Sequence, residues 1–127
     1  MSAIPDQTYE GWIHNLRTVA GLDPEHISAY SLIIEEGTPF ASRTLSLPDE
    51  DTEYNMYEAT VQILREYGFE QYEISNYAKK GRECRHNVGY WIRQDYLGFG
   101  LGASSLYGKE RFVNTQDMKK YLENSRT

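Results

Sequence analysis

The fold is predicted chiefly from His26–Ile34, which reads HISAYSLII. The run is short, rich in β-branched and aromatic residues, and bounded by Asp23-Pro24 on one side and Gly37 on the other. Such a run is typical of a strand that is buried on both faces of a sheet. We therefore expect a buried strand over residues 26–34.

A helix is predicted on each side of this strand. Thr8 is a suitable N-cap for a helix that runs to about Ala20 and is ended by Gly21. After the strand, Pro48 starts a long helix whose acidic first turns complement the helix dipole and which ends at Gly68. The expected apolar faces are Trp12, Ile13, Leu16, Val19 and Ala20 in the first helix, and Met56, Tyr57, Thr60, Val61, Leu64 and Tyr67 in the second. Helix, short loop, buried strand and helix together predict an α/β fold with parallel strands.

The second half of the chain has weaker patterns. We expect a strand at Gln71–Ser75, a charged loop over residues 78–83 and a short helix at His86–Ile92. A glycine-rich strand or sharp turn is expected over residues 95–106. A strand at Arg111–Asn114 and a helix at Asp117–Asn124, capped by Thr115, complete the prediction. We expect residues 1–70 to hold the helix–strand–helix units. Residues 71–127 should hold the final strand, the glycine-rich turn and the start of a C-terminal region, in one compact fragment.

Composition excludes several classes of function. With 13 Lys and Arg against 19 Asp and Glu, the net charge is −6 and no basic patch is visible, so nucleic acid is not an expected partner. The longest apolar run, Leu32–Ile34, is too short to span a bilayer, and the start of the chain does not resemble a signal peptide. One cysteine cannot form an intramolecular disulfide, which favours a reducing compartment. We predict a cytoplasmic protein.

The stretch from Tyr72 to Leu106 mixes polar, aromatic and glycine residues without a clear period, which suits a binding site better than a core. Its run Gly98-x-Gly100-x-Gly102 lacks the following helix and acidic residue of a dinucleotide site. These glycines either let backbone approach a ligand or form a structural bend. Both interpretations stay open.

The same stretch offers three kinds of polar site. Cys84-x-His86 supplies only two metal ligands, so no metal site is predicted. The same pair could act as a Cys/His nucleophile, but no acidic residue that would orient the histidine is visible. Arginines interleaved with aromatic residues are suited to binding a planar anionic ligand. The alternative interpretation is that they belong to an ordinary surface loop. Glu35 and Glu36 follow the buried strand and could hold a hydroxyl or a cation, or simply face solvent.

Several motifs in order carry a family resemblance. HISAYSLIIEEGTPF (26–40), LPDED (47–51), GFEQYEISNYAKKGRECRHNVGYW (68–91) and DYLGFGLGASS (95–105) together closely resemble the HemW-type haem chaperones. That family is also described as oxygen-independent coproporphyrinogen III oxidase-like, within the radical S-adenosylmethionine superfamily. The resemblance covers nearly the whole chain.

The resemblance implies an α/β fold made of the last βα units of a partial (β/α)6 radical S-adenosylmethionine barrel, plus the start of an α+β C-terminal region. Full-length members hold S-adenosylmethionine and a [4Fe–4S] cluster bound by a Cys-x-x-x-Cys-x-x-Cys motif. That motif and the Gly-Gly-x-Pro-type segment are absent here, and one cysteine cannot supply three thiolates. We therefore expect the later part of such a protein, with no catalytic residue of its own and no activity when alone.

The resemblance also implies which residues form the cofactor pocket. Leu32 and Ile33, at the end of the last barrel strand, would lie against the adenosyl group. A turn containing Gly100, Gly102, Ala103 and Ser104 would close over the same pocket. Two departures from the family pattern stand out: Ser104 replaces a histidine common in relatives, and Asp6 replaces a glycine.

A family-like RHNxxYW signature supplies the candidate ligand-binding residues, which are Arg85, His86, Asn87, Tyr90 and Trp91. The implied full-length function is haem binding and transfer, with coproporphyrinogen oxidation as the weaker family alternative. A stand-alone module for a planar anionic ligand and a purely structural fragment are the other hypotheses. Loss of neighbouring barrel strands would leave an open edge, which predicts self-association.

Overall fold

The computed structural model describes residues 1–124, which fall into two compact units. The first unit is Met1–Cys84, and the second begins at Arg85. The predicted parts were 1–70 and 71–127, so the predicted boundary lies 14 residues before the boundary between Cys84 and Arg85. Residues 71–84 lie in the first unit because they supply a strand that pairs with the strand at His26.

Two helices organise the first unit, and the sequence predicted both. Helix α1 is Tyr9–Gly21, and the Thr8 hydroxyl accepts a hydrogen bond from the Gly11 N–H at 3.1 Å. Helix α2 is Glu50–Glu66, and the Asp49 carboxylate accepts from the Thr52 N–H at 2.7 Å. Hydrogen bonding to Thr52 stabilises the charged carboxylate and lowers the pKa of Asp49 below its ordinary value.

The sheet of the first unit differs from the predicted one. It has three strands in the order β1-β3-β2, all antiparallel: β1 is His26–Ser28, β2 is Glu70–Gln71 and β3 is Asn76–Ala78. The predicted strand Gln71–Ser75 is wrong in its bounds, since β2 ends at Gln71 and residues 72–75 connect β2 to β3. The buried strand β3 was not predicted.

The predicted strand over residues 26–34 is wrong beyond Ser28. Strand β1 pairs with β3 through three residues, from His26 opposite Ala78 to Ser28 opposite Asn76. The pairing stops there because β3 has only three residues. A single parallel bridge in the described chain joins Ser2 to Ser31. Burial on both faces is also wrong, since Ile27 is buried but Ile33 is 76% exposed.

The hydrophobic core of the first unit lies between α1, α2 and the sheet. Its buried members are Trp12, Leu16, Ala20, Ile27, Met56, Ala59, Ile63, Leu64, Phe69 and Tyr77. Three predicted core-facing residues, Val19, Tyr57 and Tyr67, are exposed instead. A buried polar contact ties the two helices, since the Trp12 indole Nε1–H donates to Thr60 Oγ1 at 2.9 Å and to the Met56 carbonyl at 3.2 Å.

Replacing Thr60 with valine is expected to lower the free energy of unfolding by about 1 kcal/mol, the net value of a typical buried hydrogen bond. Valine keeps the volume of threonine but removes the hydroxyl that accepts from Trp12. Urea denaturation followed by tryptophan fluorescence measures the change. Thr18→Val is the matched control, because Thr18 is exposed on α1; equal effects of the two substitutions would contradict the expectation.

The second unit contains helix α3 at Arg85–Trp91, a hairpin of β4 at Ser104–Tyr107 and β5 at Glu110–Val113, and helix α4 at Met118–Asn124. The short helix, the strand near Arg111 and the last helix were predicted, each within two residues. Gly108 and Lys109 join the strands with φ of +55° and +75°, as a two-residue hairpin turn of the primed type requires.

Thr115 was predicted to cap the last helix, and this is wrong. The Lys120 N–H donates to the Asp117 carboxylate at 3.1 Å, so Asp117 caps α4. The Thr115 hydroxyl instead accepts from the Asp117 N–H at 3.2 Å.

The helices of residues 1–124 are short or polar. The longest, α2, has 17 residues. None of the described helices combines the length and the apolar composition that a membrane-spanning helix needs.

Candidate ligand-binding site

Helix α3 and the loop after it enclose a shallow cavity of about 170 Å³. Arg85, Gly89, His86 and Tyr90 line it from the helix, because residues four apart lie on the same face. The chain then turns back at Arg93, whose φ is +56°, and the Gln94 N–H donates to the Gly89 carbonyl at 2.8 Å. Gln94, Asp95 and Tyr96 complete the lining.

Three aromatic rings line this cavity, which we call the α3 cavity. The ring of His86 meets Tyr90 edge to face, with centroids 4.7 Å apart and an interplanar angle of 76°. Tyr90 in turn meets Tyr96 at 4.6 Å and 90°. Edge-to-face contacts of this kind are favourable and fix the rings relative to one another. Tyr90 is therefore held between the two other rings, in a defined orientation.

Tyr96 is positioned by backbone pairing as well as by its ring. Its N–H donates to the Leu106 carbonyl at 2.7 Å, and the Leu106 N–H donates to the Tyr96 carbonyl at 3.0 Å. This bridge attaches one wall of the α3 cavity to strand β4. The wall is consequently part of the hairpin and not a loose loop.

The charges at the α3 cavity are Arg85 and Asp95, both on exposed residues. Both ion pairs found within residues 1–124 lie in the first unit, between Lys79 and Asp23 and between Arg82 and Glu25. The Arg85 guanidinium is thus left for solvent or for an anionic ligand, with which it can form two parallel hydrogen bonds. Asp95 favours a ligand that also carries a positive or hydrogen-bond-donating group.

The structure brings together three of the five candidate ligand-binding residues. Arg85, His86 and Tyr90 line the α3 cavity, whereas Asn87 and Trp91 do not. Trp91 is 62% exposed and offers its ring to solvent.

Sequence reasoning missed Gly89, Gln94 and Asp95 as lining residues. Gly89 is buried, and a Cβ there would lie 3.1 Å from the Gln94 side-chain oxygen, so the glycine allows the loop to close on the helix. Its position four residues after Arg85 was the signal that could have found it.

The glycine-rich turn has a structural explanation in the second unit. A Cβ on Gly98 would lie 2.2 Å from the Ser104 carbonyl oxygen, so only glycine allows these two backbone segments to approach. The Asn114 amide Nδ2 donates to the Gly100 carbonyl at 2.8 Å and to the Gly98 carbonyl at 3.4 Å. Gly102 has φ of +68°, and its N–H donates to the Thr115 carbonyl at 3.0 Å. The turn is fixed by its own hydrogen bonds.

The residues expected to form the cofactor pocket are divided between the two units. Leu32 is half-buried and its N–H donates to the Ser2 carbonyl at 3.0 Å, while Ile33 is exposed. Ala103 is half-buried in the second unit, where Ser104 is exposed at the start of β4. The role of these residues in cofactor binding stays a prediction.

The donor set of the chain does not fit a cysteine-bound iron–sulfur cluster. Cys84 is the single cysteine and is partly buried. A [4Fe–4S] cluster in proteins is held by several cysteine thiolates. Within residues 1–124, no three His, Cys, Asp or Glu side chains are grouped so that they could hold a metal ion.

A solved structure has the same fold as this chain. The E. coli coproporphyrinogen III oxidase HemN, described as a radical SAM enzyme, superposes with a TM-score of 0.78 at 20% sequence identity, over 98% of this chain and 32% of that one. The predicted α/β fold class is confirmed by this likeness.

The particular relatives are proteins named heme chaperone HemW. That of Bacillus subtilis is 41% identical over 127 residues, which is 97% of this chain and 34% of the relative. That of Haemophilus influenzae is 42% identical, over 96% of this chain and 33% of the relative. The predicted resemblance to HemW-type haem chaperones is thereby confirmed, and the chain spans about a third of the length of these relatives. None of the protein-family models matches the chain.

Proposed function

We propose that the chain is one part of a HemW-like haem-handling protein, and that the α3 cavity is where it contacts haem. The similarity to proteins named heme chaperone, over 97% of the chain, supports the first half of the proposal. The second half is supported by one observation: His86, Arg85 and two tyrosine rings line the same cavity.

These side chains have the chemistry that haem requires. An imidazole nitrogen is a common axial ligand of haem iron. A guanidinium group pairs with the carboxylate of a haem propionate. The edges and faces of Tyr90 and Tyr96 supply apolar contact for a flat macrocycle. His86 would hold the iron, Arg85 a propionate, and the rings the edge of the macrocycle.

The size of the cavity favours transfer over storage. Pockets that enclose drug-sized ligands are typically about 300–1,000 Å³, whereas the α3 cavity has about 170 Å³. A haem bound here would keep much of its surface outside the cavity. Such a ligand is accessible to an acceptor protein, as delivery of haem requires.

We propose S-adenosylmethionine and a [4Fe–4S] cluster only for the longer protein of which this chain would be a part. The cofactor-binding residues that we propose for that longer protein are Leu32, Ile33, Gly100, Gly102, Ala103 and Ser104. Cluster thiolates would come from outside the chain, since Cys84 is alone. Without them we propose that the chain has no catalytic activity of its own.

Two further proposals rest on the sequence. A single unpaired cysteine favours the reducing environment of the cytoplasm. Self-association through an open sheet edge is proposed because strands that lack neighbours present unpaired backbone groups.

Replacing His86 with alanine is expected to weaken haemin binding at least about tenfold. Substituting a residue that only hydrogen-bonds to a metal ligand already lowers metal affinity about 10–100-fold. The loss of an iron ligand itself should therefore weaken haemin binding at least as much. Haemin titration, followed by the shift of the Soret band, measures the effect. His14→Ala is the matched control, because His14 is an exposed histidine on α1.

Two outcomes of this titration would count against the proposal. A Soret shift that His86→Ala leaves unchanged would exclude iron ligation by His86. Equal affinity for iron-free protoporphyrin would instead support a module that recognises the planar anionic macrocycle without its metal. Arg85→Gln should weaken both ligands if the guanidinium pairs with a propionate.

A further inference from the structure

A second cavity, in the first unit, has no role in the proposed haem site. It measures about 220 Å³ and lies between the segment after β1, the first turns of α2 and the turn before β3. Its walls include Ala29, Ser31, Glu53, Tyr54, Tyr57 and Ile74. We call it the α2 cavity. Leu32 and Ile33, the residues expected to meet the adenosyl group, are not among its lining residues.

Glu53 supplies the one charged side chain that lines the α2 cavity. Its Oε1 accepts a hydrogen bond from the Ser31 hydroxyl, and this contact fixes the carboxylate at the cavity wall. Its other oxygen accepts no hydrogen bond from residues 1–124, and neither ion pair of those residues includes Glu53. The carboxylate is therefore oriented but not neutralised.

The surroundings of Glu53 add negative potential. Besides Glu53, residues 44–64 contain four acidic side chains and neither lysine nor arginine. The positive end of the α2 dipole is worth only about half an elementary charge, so it does not cancel them. Because the potential around Glu53 is negative, the α2 cavity favours a cationic ligand.

The rest of the cavity selects for an apolar body on that cation. Ala29, Ile74 and the two tyrosines Tyr54 and Tyr57 supply apolar surface to its lining. Tyrosine faces also attract cations at close range. The Tyr57 hydroxyl is already engaged, since it accepts from the Gln71 amide at 3.0 Å. With a volume below the usual range for drug-sized ligands, the α2 cavity suits a ligand of a few heavy atoms.

We propose that the α2 cavity binds a small organic cation, a primary alkylammonium group on a short apolar stem, through the carboxylate of Glu53. The ammonium group donates to the unused carboxylate oxygen, and the stem lies between the tyrosine rings and Ile74. This site is independent of the haem proposal, because it lies in the other compact unit.

The test is an NMR titration of the 127-residue chain with n-butylammonium chloride at constant ionic strength. We expect saturable shifts of the amide signals of Ser31, Glu53 and Ile74. n-Butanol has the same apolar body without the charge, and it should bind at least about tenfold more weakly, the value of one charge-assisted hydrogen bond. This comparison uses the unaltered protein, so it does not depend on any variant folding.

Glu53→Gln should weaken n-butylammonium binding by a similar factor while keeping the shape of the side chain. Glu58→Gln is the matched control, with the same change of charge on the same helix at a residue outside the cavity lining, and it should leave binding within about twofold. Ser31→Ala should weaken binding less than Glu53→Gln does, because the carboxylate remains but loses the hydroxyl that orients it. Equal binding of n-butanol, equal effects of the two glutamate substitutions, or shifts that do not saturate would each overturn the proposal.

Discussion

Replacing Gly98 with alanine is expected to destabilise the second unit by about 3 kcal/mol or more, at the upper end of the cost of overpacking. The added methyl group would lie 2.2 Å from the Ser104 carbonyl oxygen and 2.9 Å from its carbon. Both atoms belong to the backbone of β4, so the clash cannot be relieved by a side-chain rotation. We expect the hairpin to separate from the turn.

Gly102→Ala is the matched control for this substitution. Gly102 has φ of +68°, and its Cβ would meet nothing nearer than the Gln116 side chain at 3.6 Å. Its cost is therefore backbone strain alone, about 1–2 kcal/mol. Amide NMR spectra should show loss of signal dispersion in residues 85–124 for Gly98→Ala, with the signals of residues 1–84 retained. If the two alanine variants were equally stable, steric contact at Gly98 would not be the reason for the glycine.

The sequence was sufficient for elements that depend on local chemistry. Thr8 predicts the start of α1 because its hydroxyl satisfies an N–H three residues on, and acidic residues near Pro48 predict the start of α2. The short helix α3 was predicted from the residues around His86. Each of these features is decided within one or two turns of chain.

Elements that depend on distant partners were not predictable in the same way. The run Leu32–Ile34 is as apolar as a buried strand, yet no strand of the described chain pairs with residues 32–34, and Ile33 is exposed. Strand β3 includes Asn76, which is buried because it bonds to Ser28 and to the Tyr30 hydroxyl, 48 and 46 residues away. Nothing in the residues next to Asn76 indicates those partners.

The candidate site shows the same distinction. His86 and Tyr90 are four apart on a helix, so their contact is predictable from the sequence. Tyr96 joins them because it pairs with Leu106, which the sequence does not indicate. The role of Asn114 in holding the glycine-rich turn was missed for the same reason, since it bonds across 14 and 16 residues.

Raising the pH from about 10 to 12 is expected to destabilise the protein through Tyr77. Its side chain is 1% exposed, and its hydroxyl has no hydrogen-bond partner in residues 1–124. Burial, with smaller contributions from Tyr57 and Glu73, raises the pKa of Tyr77 from 10.0 to about 12. In this interval the unfolded chain releases the phenolic proton and the folded chain keeps it, so alkaline pH favours unfolding. At about 1.36 kcal/mol for each pKa unit, and with one form half titrated at each end of the interval, the loss of stability is about 2 kcal/mol.

The substitution Tyr77→Phe isolates this effect from the other tyrosines and lysines. The variant should lose about 2 kcal/mol less than the original chain over the same pH interval. At neutral pH it should be at least as stable, because it removes a buried hydroxyl that lacks a partner within residues 1–124. Urea denaturation at a series of pH values measures both quantities. Tyr54→Phe is the control at an exposed tyrosine, and a pH profile of Tyr77→Phe parallel to that of the original chain would contradict the assignment.

The hydrophobic core of the first unit lies wholly between Trp12 and Tyr77 in the sequence, so residues 85–124 take no part in it. In residues 85–124 the hydrogen bonds of a hairpin and a glycine turn, and three rings in edge-to-face contact, take the place of a buried apolar cluster. Segments with few buried apolar contacts open locally at a lower free energy than the core. The amide protons of β4 and β5 should therefore exchange with deuterium well before those of α1 and α2.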